Sequence, residues 1–257
     1  MERDEIHGWF DLTDRTAIIT GGTRGIGRAI AEGFAAMGAN VVVASRKADA
    51  CAATEADLVA RGGRALGVPT HMGDMAAIDA LVQLTVERFG GVDIVVNNAA
   101  NALTMPIAET TIAGWEKSMA VNLQGPVFLA SAAHPHLRRS EHAAILNVIS
   151  VGAITYAPSQ AMYAAAKAGL LAFTRNMAAE WAGDGIRVNA LAPGTVDTDM
   201  VRNTGPESVE RMKLISYQRR IADATEMIGP ALFLCSDAAS YVTGQLLVAD
   251  GGYAVAR

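Results

Sequence analysis

A tyrosine and a lysine four residues apart, Tyr163 and Lys167, carry the most specific chemistry in this sequence. Residues 159–182 predict one long helix, and a spacing of four places both side chains on the same face of it. A phenol with a pKa near 10 is a poor base at neutral pH, and a lysine cation within about 4–6 Å favours the phenolate and lowers that pKa by about 1–3 units. The pair therefore predicts proton transfer at an oxygen atom of a bound molecule, although the same pair alone on a helix is more often surface packing.

Ser150 lies thirteen residues before Tyr163, at the predicted end of a strand. A hydroxyl there would orient and polarise a substrate oxygen, as an oxyanion-type donor does. A lone serine at a strand end is more often an ordinary turn residue. Taken together, the three side chains indicate acid–base chemistry at a carbonyl or hydroxyl group.

A glycine-rich turn, TGGTRGIG at residues 20–27, follows the first predicted strand and opens the first predicted helix. Glycine is needed where a backbone takes positive φ or approaches a phosphate closely, and a helix N-terminus offers free N–H groups to a pyrophosphate. An ordinary glycine turn would have the same composition, but the position after the first strand favours dinucleotide binding. The spacing is GxxxGxG rather than GxGxxG.

The end of the second predicted strand indicates which dinucleotide binds. An acidic residue there would accept hydrogen bonds from the ribose 2′-hydroxyl of NAD and repel a 2′-phosphate. Ser45 takes that place and Arg46 follows, while Arg24 in the glycine turn adds a second cation. Arginine binds phosphate through a planar fork, so NADP(H) is favoured over NAD(H). The alternative is that Arg46 and Lys47 only solvate a loop.

Short β-branched runs alternate with Ala-rich helical stretches along the whole chain. This alternation predicts right-handed βαβ units in one doubly wound α/β Rossmann-like domain, residues 1–257, with about seven parallel strands and helices on both faces. The predicted strands are 16–20, 41–45, 66–70, 93–97, 143–149, 187–192 and 245–249. The predicted helices are 26–37, 50–61, 76–89, 112–119, 125–138, 159–182 and 224–235, with a long loop after the sixth strand.

Composition excludes several other classes of protein. The net charge of −5 and the pI near 5.5 argue against a nucleic-acid or anionic-membrane binder. The two cysteines, Cys51 and Cys235, form neither a metal-binding spacing nor a disulfide framework, so no metal is expected. The polar N-terminus is no signal peptide and no apolar run reaches about 18 residues, which predicts a cytoplasmic protein.

The motifs, read in order, resemble the short-chain dehydrogenase/reductase family over nearly the whole chain. The turn at 20–27 is similar to the family's TGxxxGIG signature, and residues 97–100 are similar to its NNAG motif. Asn122, Ser150 and the Tyr163-x-x-x-Lys167 pair match the family's catalytic positions. Pro193-Gly194 resembles its PG motif, and residues 250–252 resemble its C-terminal DGG.

The resemblance implies an NAD(P)-dependent oxidoreductase and a role for each matching residue. Tyr163 would be the acid/base, Lys167 would tune it and bind the nicotinamide ribose, Ser150 would orient the substrate, and Asn122 would hold a water that relays protons from Lys167 to solvent. The residues expected to bind the cofactor are Gly21, Thr23, Arg24, Gly25, Ile26, Gly27, Ser45, Arg46, His71, Asn98, Ala99, Tyr163, Lys167, Pro193, Gly194, Val196 and Thr198.

Two positions depart from the family pattern. Where the family usually has an aspartate that holds the adenine amino group, this chain has His71, with Asp74 three residues further on. Either His71 remakes the adenine contact or it is a surface histidine. The fourth NNAG position is Ala100, followed by Asn101.

The substrate is the least determined feature. By family analogy, residues 100–106, 151–157 and 195–220 face the substrate, and the last of these forms a mobile lid. Their apolar members predict apolar ketones or aldehydes rather than free sugars: Leu103, Met105, Ala153, Ile154, Tyr156, Met200, Met212 and Leu214. The cations of the third segment leave 3-oxoacyl thioesters as an alternative, since they would hold a carrier phosphate: Arg202, Arg211, Lys213, Arg219 and Arg220.

Two further expectations concern assembly and class. Small residues along the Tyr163 helix allow close packing against a second copy, which by family analogy predicts a homotetramer. A sugar or sugar-acid dehydrogenase is another substrate alternative. A nucleotide sensor that kept the fold and lost the chemistry is the alternative class, and the intact Asn122, Ser150, Tyr163 and Lys167 set argues against it.

Overall fold

The computed structural model describes residues 2–156 and 158–256, and its centre is one parallel sheet of seven strands in the order β3-β2-β1-β4-β5-β6-β7. All seven predicted strands are present, with ends that differ from the prediction by at most two residues. The strands are β1 Thr16–Thr20, β2 Asn40–Ser45, β3 Arg64–Pro69, β4 Ile94–Asn97, β5 Ala144–Val148, β6 Arg187–Pro193 and β7 Leu246–Ala249.

Helices cover both faces of this sheet, as the alternating pattern predicted. Phe34 and Leu234 belong to the apolar cluster on one face, and Leu81 and Leu129 to the cluster on the other. The helices are α1 Arg3–Gly8, α2 Gly25–Ala36, α3 Ala48–Ala60, α4 Met75–Phe89, α5 Ile112–Met119, α6 Gly125–Leu137, α7 Ala161–Trp181, α8 Asp199–Arg202, α9 Pro206–Ile215 and α10 Ile228–Cys235.

The strand order places a ligand crevice between β1 and β4. The chain winds outward from β1 through β2 to β3 and then returns to pair β4 with the other side of β1. In open parallel sheets, ligands bind at the carboxyl ends of the strands where the winding reverses. The glycine turn follows β1, and residues 98–101 follow β4, so both predicted motifs lie at this crevice.

The structure corrects the prediction in three places. The segment predicted as a long loop after β6 contains α8 and α9. The N-terminal residues predicted only to be polar form α1, which begins with a capping box between Glu2 and Glu5. The two helices after β4 are joined without a loop, because Ala120–Gln124 forms a single π-helical turn between α5 and α6.

Two predicted regions extend beyond what the structure describes. Met1 and Arg257 of the predicted domain, and Ala157 of the predicted substrate segment, lie outside the described residues. Among the residues that are described, no helix is both long and apolar enough to cross a membrane.

Candidate active site

The glycine turn is tightly enclosed by Asn98 from the loop after β4. The Asn98 Nδ2 group donates to the carbonyl oxygen of Thr20 at 2.9 Å. A Cβ on Gly27 would lie 2.3 Å from Asn98 Nδ2 and 2.4 Å from the carbonyl oxygen of Gly21, so no side chain fits there. Gly21 has φ +66°, which also favours glycine. The turn needs glycine for packing against Asn98 as well as for access by a phosphate.

Thr20 connects the glycine turn to the loop after β4. Its hydroxyl accepts hydrogen bonds from the backbone N–H groups of Asn98 and Ala99, both at 3.0 Å, and donates to the Val96 carbonyl at 3.2 Å. Sequence reasoning did not assign this role, although Thr20 is the first residue of the predicted motif. Asn98 is predicted to bind cofactor, and in the structure its side chain also shapes the turn.

The start of α2 is open to an anion. Its N-cap residue, Arg24, has extended backbone and makes no side-chain capping bond. The first N–H groups of a helix lack intrahelical partners, and the helix dipole adds a positive potential there. Gly25 and Gly27 in this first turn add no side chains, and Ile26 lies between them. The geometry is suited to a pyrophosphate.

The residues expected at the ribose of the adenosine lie together beyond β2. Thr23 Oγ1 donates to Ser45 Oγ at 3.1 Å, which joins the glycine turn to the end of β2. Arg46 is exposed, and within residues 2–156 and 158–256 it makes no ion pair. Arg24 forms an ion pair with Asp199 at 3.3 Å, so only Arg46 of the two predicted cations is unengaged.

His71 and Asp74 occupy a tight turn after β3. His71 is exposed, and its Nδ1 accepts a hydrogen bond from the Gly73 N–H at 3.1 Å. Asp74 caps the N-terminus of α4, accepting from the Ala77 N–H at 3.2 Å. Asp74 is the carboxylate closest to the position where the family usually has its adenine-binding aspartate. Its side chain caps the N-terminus of a helix.

The catalytic pair is carried on α7, which begins at Ala161 rather than at residue 159. Lys167 is 1 % exposed, and its Nζ donates to the Val148 carbonyl at the end of β5 at 2.8 Å. The same Nζ lies 5.9 Å from the centre of the Tyr163 ring. Ser150 follows β5 and hydrogen-bonds the Tyr163 hydroxyl. The structure thus brings Ser150, Tyr163 and Lys167 together at one strand end.

The pKa of Tyr163 changes in the opposite direction to the prediction. Burial raises the pKa of the phenol above its ordinary value of 10.0, and the hydrogen bond from Ser150 lowers it by less. Burial also lowers the pKa of Lys167 to about 8. A spacing of four residues indicates proximity but not burial, and burial opposes both the phenolate and the ammonium.

The depressed pKa of Lys167 predicts a pH-dependent stability. Between about pH 8 and 10.5 the folded protein binds fewer protons at this lysine than the unfolded chain, so its contribution to stability rises with pH. The free energy of unfolding of the wild type minus that of Lys167→Met should therefore increase by up to about 1.4 kcal/mol per pH unit above pH 8. Urea unfolding of both proteins from about pH 7.5 to about pH 9.5 measures this, and a constant difference would contradict it.

Asn122 is fully buried in the π-helical turn, and both polar atoms of its side chain have hydrogen-bond partners in the protein. Its Oδ1 accepts from the Asn101 N–H at 3.0 Å. Its Nδ2 lies 2.9 Å from both the carbonyl oxygen and the Oδ1 of Asn101 and 3.2 Å from Ser118 Oγ, so its two hydrogens are shared among these three acceptors. A water held by Asn122 would therefore need its peptide groups, or displacement of Asn101.

The segment after β6 starts in contact with the glycine turn. Pro193 ends β6, and a Cβ on Gly194 would lie 2.7 Å from Asp250 Cα, so the close approach of the PG and DGG motifs leaves no room for a side chain at Gly194. Val196 is buried and pairs with Ala222 as an isolated bridge. The methyl group of Thr198 lies 3.0 Å from the position of a Cβ on Gly25. Predicted cofactor residues from the loops after β1 and β6 therefore lie together.

Most cations of the 195–220 segment are already paired with carboxylates. Arg202 contacts Asp197 through two bonds of 2.7 and 3.0 Å, and Lys213 contacts Glu210 at 2.5 Å. Arg220 forms two bonds of 2.6 and 2.7 Å with Glu226 and holds the pKa of that carboxyl down to about 2. These pairs leave less of the cluster for a carrier phosphate than the sequence suggested.

The predicted substrate segments only partly line the site. Leu103 is half-buried, and its Cδ2 lies 3.2 Å from the position of a Cβ on Gly114 at the start of α5. The Met105 N–H donates to the Ser159 carbonyl at 2.7 Å, which joins the first segment to the residues before α7. Four of the apolar side chains remain well exposed: Ile154, Tyr156, Met200 and Leu214.

Comparisons with known proteins agree with this geometry. Residues 21–254 match a family described as Enoyl-(Acyl carrier protein) reductase. A 3-oxoacyl-[acyl-carrier-protein] reductase of Synechocystis is 35% identical over 94% of this chain and 97% of its own. Dehydrogenase/reductase SDR family member 4 of Sus scrofa is 37% identical over 95% and 88%.

A solved structure gives the same result for the fold. A protein of Beutenbergia cavernae, provisionally titled an NAD(P)-dependent gluconate 5-dehydrogenase and containing NADP at low occupancy, is 34% identical over 96% of this chain and 100% of its own, with a TM-score of 0.91. The matches span almost the full chain, and their names differ in substrate but agree in reaction type. This chain belongs to the short-chain dehydrogenase/reductase family and is an NAD(P)-dependent oxidoreductase.

Proposed function

We propose that this protein transfers a hydride between NADP(H) and an apolar ketone or aldehyde, or the corresponding alcohol. The observation that carries the proposal is the meeting of Ser150, Tyr163 and Lys167 at the end of β5, with a hydroxyl–phenol hydrogen bond and a buried ammonium. A sensor would need only the cofactor turn, so this grouping favours an enzyme.

The cofactor fits the residues around the β1–β4 crevice. The glycine turn leaves no room for side chains at Gly21 and Gly27 and presents the first turn of α2, which suits a pyrophosphate. Ser45 and the exposed Arg46 suit a 2′-phosphate, since no carboxylate stands at the end of β2 to repel it. His71 stays a prediction for the adenine.

When bound, NADPH supplies the hydride. The chain's own residues supply the proton and hold the substrate oxygen. Ser150 donates a hydrogen bond to that oxygen, and Tyr163 transfers its phenolic proton to the oxygen as negative charge develops there. A raised phenol pKa keeps Tyr163 protonated at neutral pH, which is the form that reduction requires. Lys167 favours the phenolate formed and returns a proton to it.

The segment 195–220 is proposed to be the substrate lid, since it contacts the glycine turn through Thr198 and Asp199. The exposed apolar side chains Ile154, Tyr156 and Met200 favour an apolar substrate, which would bury them. On α7, Ala165, Ala168 and Ala172 are exposed, which supports packing of this helix against a second copy in a homotetramer.

The test is NADPH consumption over a panel of ketones, aldehydes, keto-sugars and 3-oxoacyl thioesters. Each buried CH₂ contributes about 0.8 kcal/mol, so kcat/KM should rise up to about fourfold per carbon along a ketone series until the pocket is full. A free sugar loses water from its hydroxyls without gaining partners. A keto-sugar or sugar acid that exceeds every apolar ketone by about tenfold would overturn the substrate assignment.

The second candidate substrate is a 3-oxoacyl thioester. The observation that favours it is the 35% identity to the Synechocystis reductase named for that reaction. The internal pairing of Arg202, Lys213 and Arg220 weighs against it, because a carrier phosphate would have to displace carboxylates. A thioester that leads the panel would establish this candidate in place of the first.

A further inference from the structure

Asn101 connects the two sides of the proposed active site. It follows the residues that hold the glycine turn, since Asn98 and Ala99 bond Thr20. Its own backbone and side chain bond the π-helical turn on the opposite side. The four residues 98–101 therefore run from the cofactor turn to the turn that carries Asn122.

The side chain of Asn101 makes two contacts that no other residue type of its size would reproduce. Its Oδ1 accepts from Asn122 Nδ2 at 2.9 Å, and its Nδ2 donates to the Lys117 carbonyl in the last turn of α5 at 2.9 Å. One planar amide thus bridges the end of α5 and the π-helical turn. An amide has both a donor and an acceptor, which is what this pair of contacts requires.

The π-helical turn also packs against α7, the helix that carries the catalytic pair. Leu123, next to Asn122, lies 3.3 Å from the position of a Cβ on Gly169, and Gly169 is two residues beyond Lys167. A π-helical turn interrupts the regular α-helical ladder and is frequent at functional sites. A shift of this turn is therefore transmitted to α7 beside the lysine.

Protons must reach this lysine from solvent although it is buried. Lys167 is 1 % exposed and bonds the Val148 carbonyl, and Tyr163 needs a new proton after each reduction. The π-helical turn packs against α7 beside this lysine, and it carries Asn122, which the sequence analysis expects to hold a relay water. The Asn122 side chain is bonded to Asn101 and Ser118, and these contacts hold the turn and its peptide groups in position.

We propose that Asn101 is a positioning residue for the reaction: by bridging Lys117 and Asn122 it fixes the π-helical turn through which protons return to Lys167 and Tyr163. This inference rests on the proposed function. It concerns proton return and not hydride transfer or cofactor binding, and it assigns a purpose to a residue outside the catalytic set.

The test is Asn101→Ala, which keeps the backbone bonds to Asn122 and removes both side-chain contacts. With the best ketone of the panel, kcat should fall about ten- to a hundred-fold, because small misplacements of a site have effects of that size. NADPH affinity by fluorescence titration should stay within about threefold. The solvent deuterium isotope effect on kcat should increase, and added imidazole buffer should restore part of the rate, because proton return has become slow.

Asn176→Ala is the matched control. Asn176 is exposed on α7 and donates only to the Ala172 carbonyl of its own helix at 2.9 Å, so its removal should leave all three readouts unchanged. If Asn101→Ala does not fold, Asn101→Ser replaces it, since the shorter side chain cannot span both contacts, and the same criteria apply.

Three results would overturn the inference. They are a kcat within about twofold of wild type, a loss of kcat matched by a loss of NADPH affinity, and a loss of kcat with neither an isotope effect nor rescue by buffer. Failure of the proposed function is distinguishable, because it would show as an active Tyr163→Phe enzyme. An inactive Tyr163→Phe beside a normal Asn101→Ala would reject the positioning role alone.

Discussion

Replacement of Tyr163 by phenylalanine is expected to lower kcat by at least about a hundred-fold and up to about ten-thousand-fold, the usual range for loss of a general acid. The substitution keeps the ring and removes only the hydroxyl that Ser150 bonds. Because the ring still fills its site on α7, folding should be preserved. NADPH affinity, measured by fluorescence titration, should stay within about threefold of wild type.

Lys167→Ala serves as the contrasting variant. Lys167 is proposed to contact the ribose as well as to support Tyr163, so its loss should reduce both kcat and NADPH affinity. It also removes the donor to the Val148 carbonyl, which leaves a buried acceptor unpaired. Tyr241→Phe is a matched control for the tyrosine, because Tyr241 is fully exposed. A Tyr163→Phe enzyme with full activity would falsify the proposed mechanism.

The sheet and the order of its motifs could be predicted because they depend on local patterns. β1, β4 and β5 are buried along their whole length, and a strand buried on both faces has a nearly continuous apolar sequence. The glycine turn was recognisable because few residues can follow such a strand in a tight turn. Each of these features is encoded in a few consecutive residues, so it can be predicted from a single sequence.

The clamping of the glycine turn could not be predicted, because it depends on residues distant in the chain. Asn98 and Thr20 are 78 positions apart, and only the β1–β4 pairing brings them together. The hydrogen bonds between Asn101 and Asn122 depend in the same way on the π-helical turn, which no spacing in the sequence reveals. Both asparagines at 98 and 122 were assigned to cofactor or water, while their side chains bond protein.

The pKa of Tyr163 shows a different limit of sequence reasoning. Residue spacing predicted a lysine near the phenol, and the structure has it 5.9 Å from the ring centre. Spacing did not reveal that Lys167 is buried and Tyr163 partly buried, and burial is the largest influence on both pKa values. In contrast, α9 could have been predicted, since Pro206 directly after Gly205 is typical of a helix start.

Cofactor choice gives the second large expected effect, through Arg46. A charge-assisted hydrogen bond contributes about 1.5–3 kcal/mol, so Arg46→Ala should weaken NADPH binding by roughly ten- to a hundred-fold and leave NADH almost unchanged. Arg46 is the cation to test because Arg24 is occupied by Asp199. Removal of Arg24 should therefore cost less NADPH affinity than removal of Arg46.

Two further variants make the cofactor test specific. Lys47→Ala is the matched control, because Lys47 is an equally exposed neighbour that serves only as the N-cap position of α3, and it should change NADPH affinity by less than about threefold. Ser45→Asp places a carboxylate at the end of β2, where it would repel a 2′-phosphate and bond a 2′-hydroxyl, so it should shift the preference toward NADH. Fluorescence titration of each variant with both cofactors measures these effects. The end of β2 lacks the acid that would favour NAD over NADP, so NADPH should bind more tightly. Tighter binding of NADH than of NADPH by the wild type would therefore reject NADP(H) as the cofactor.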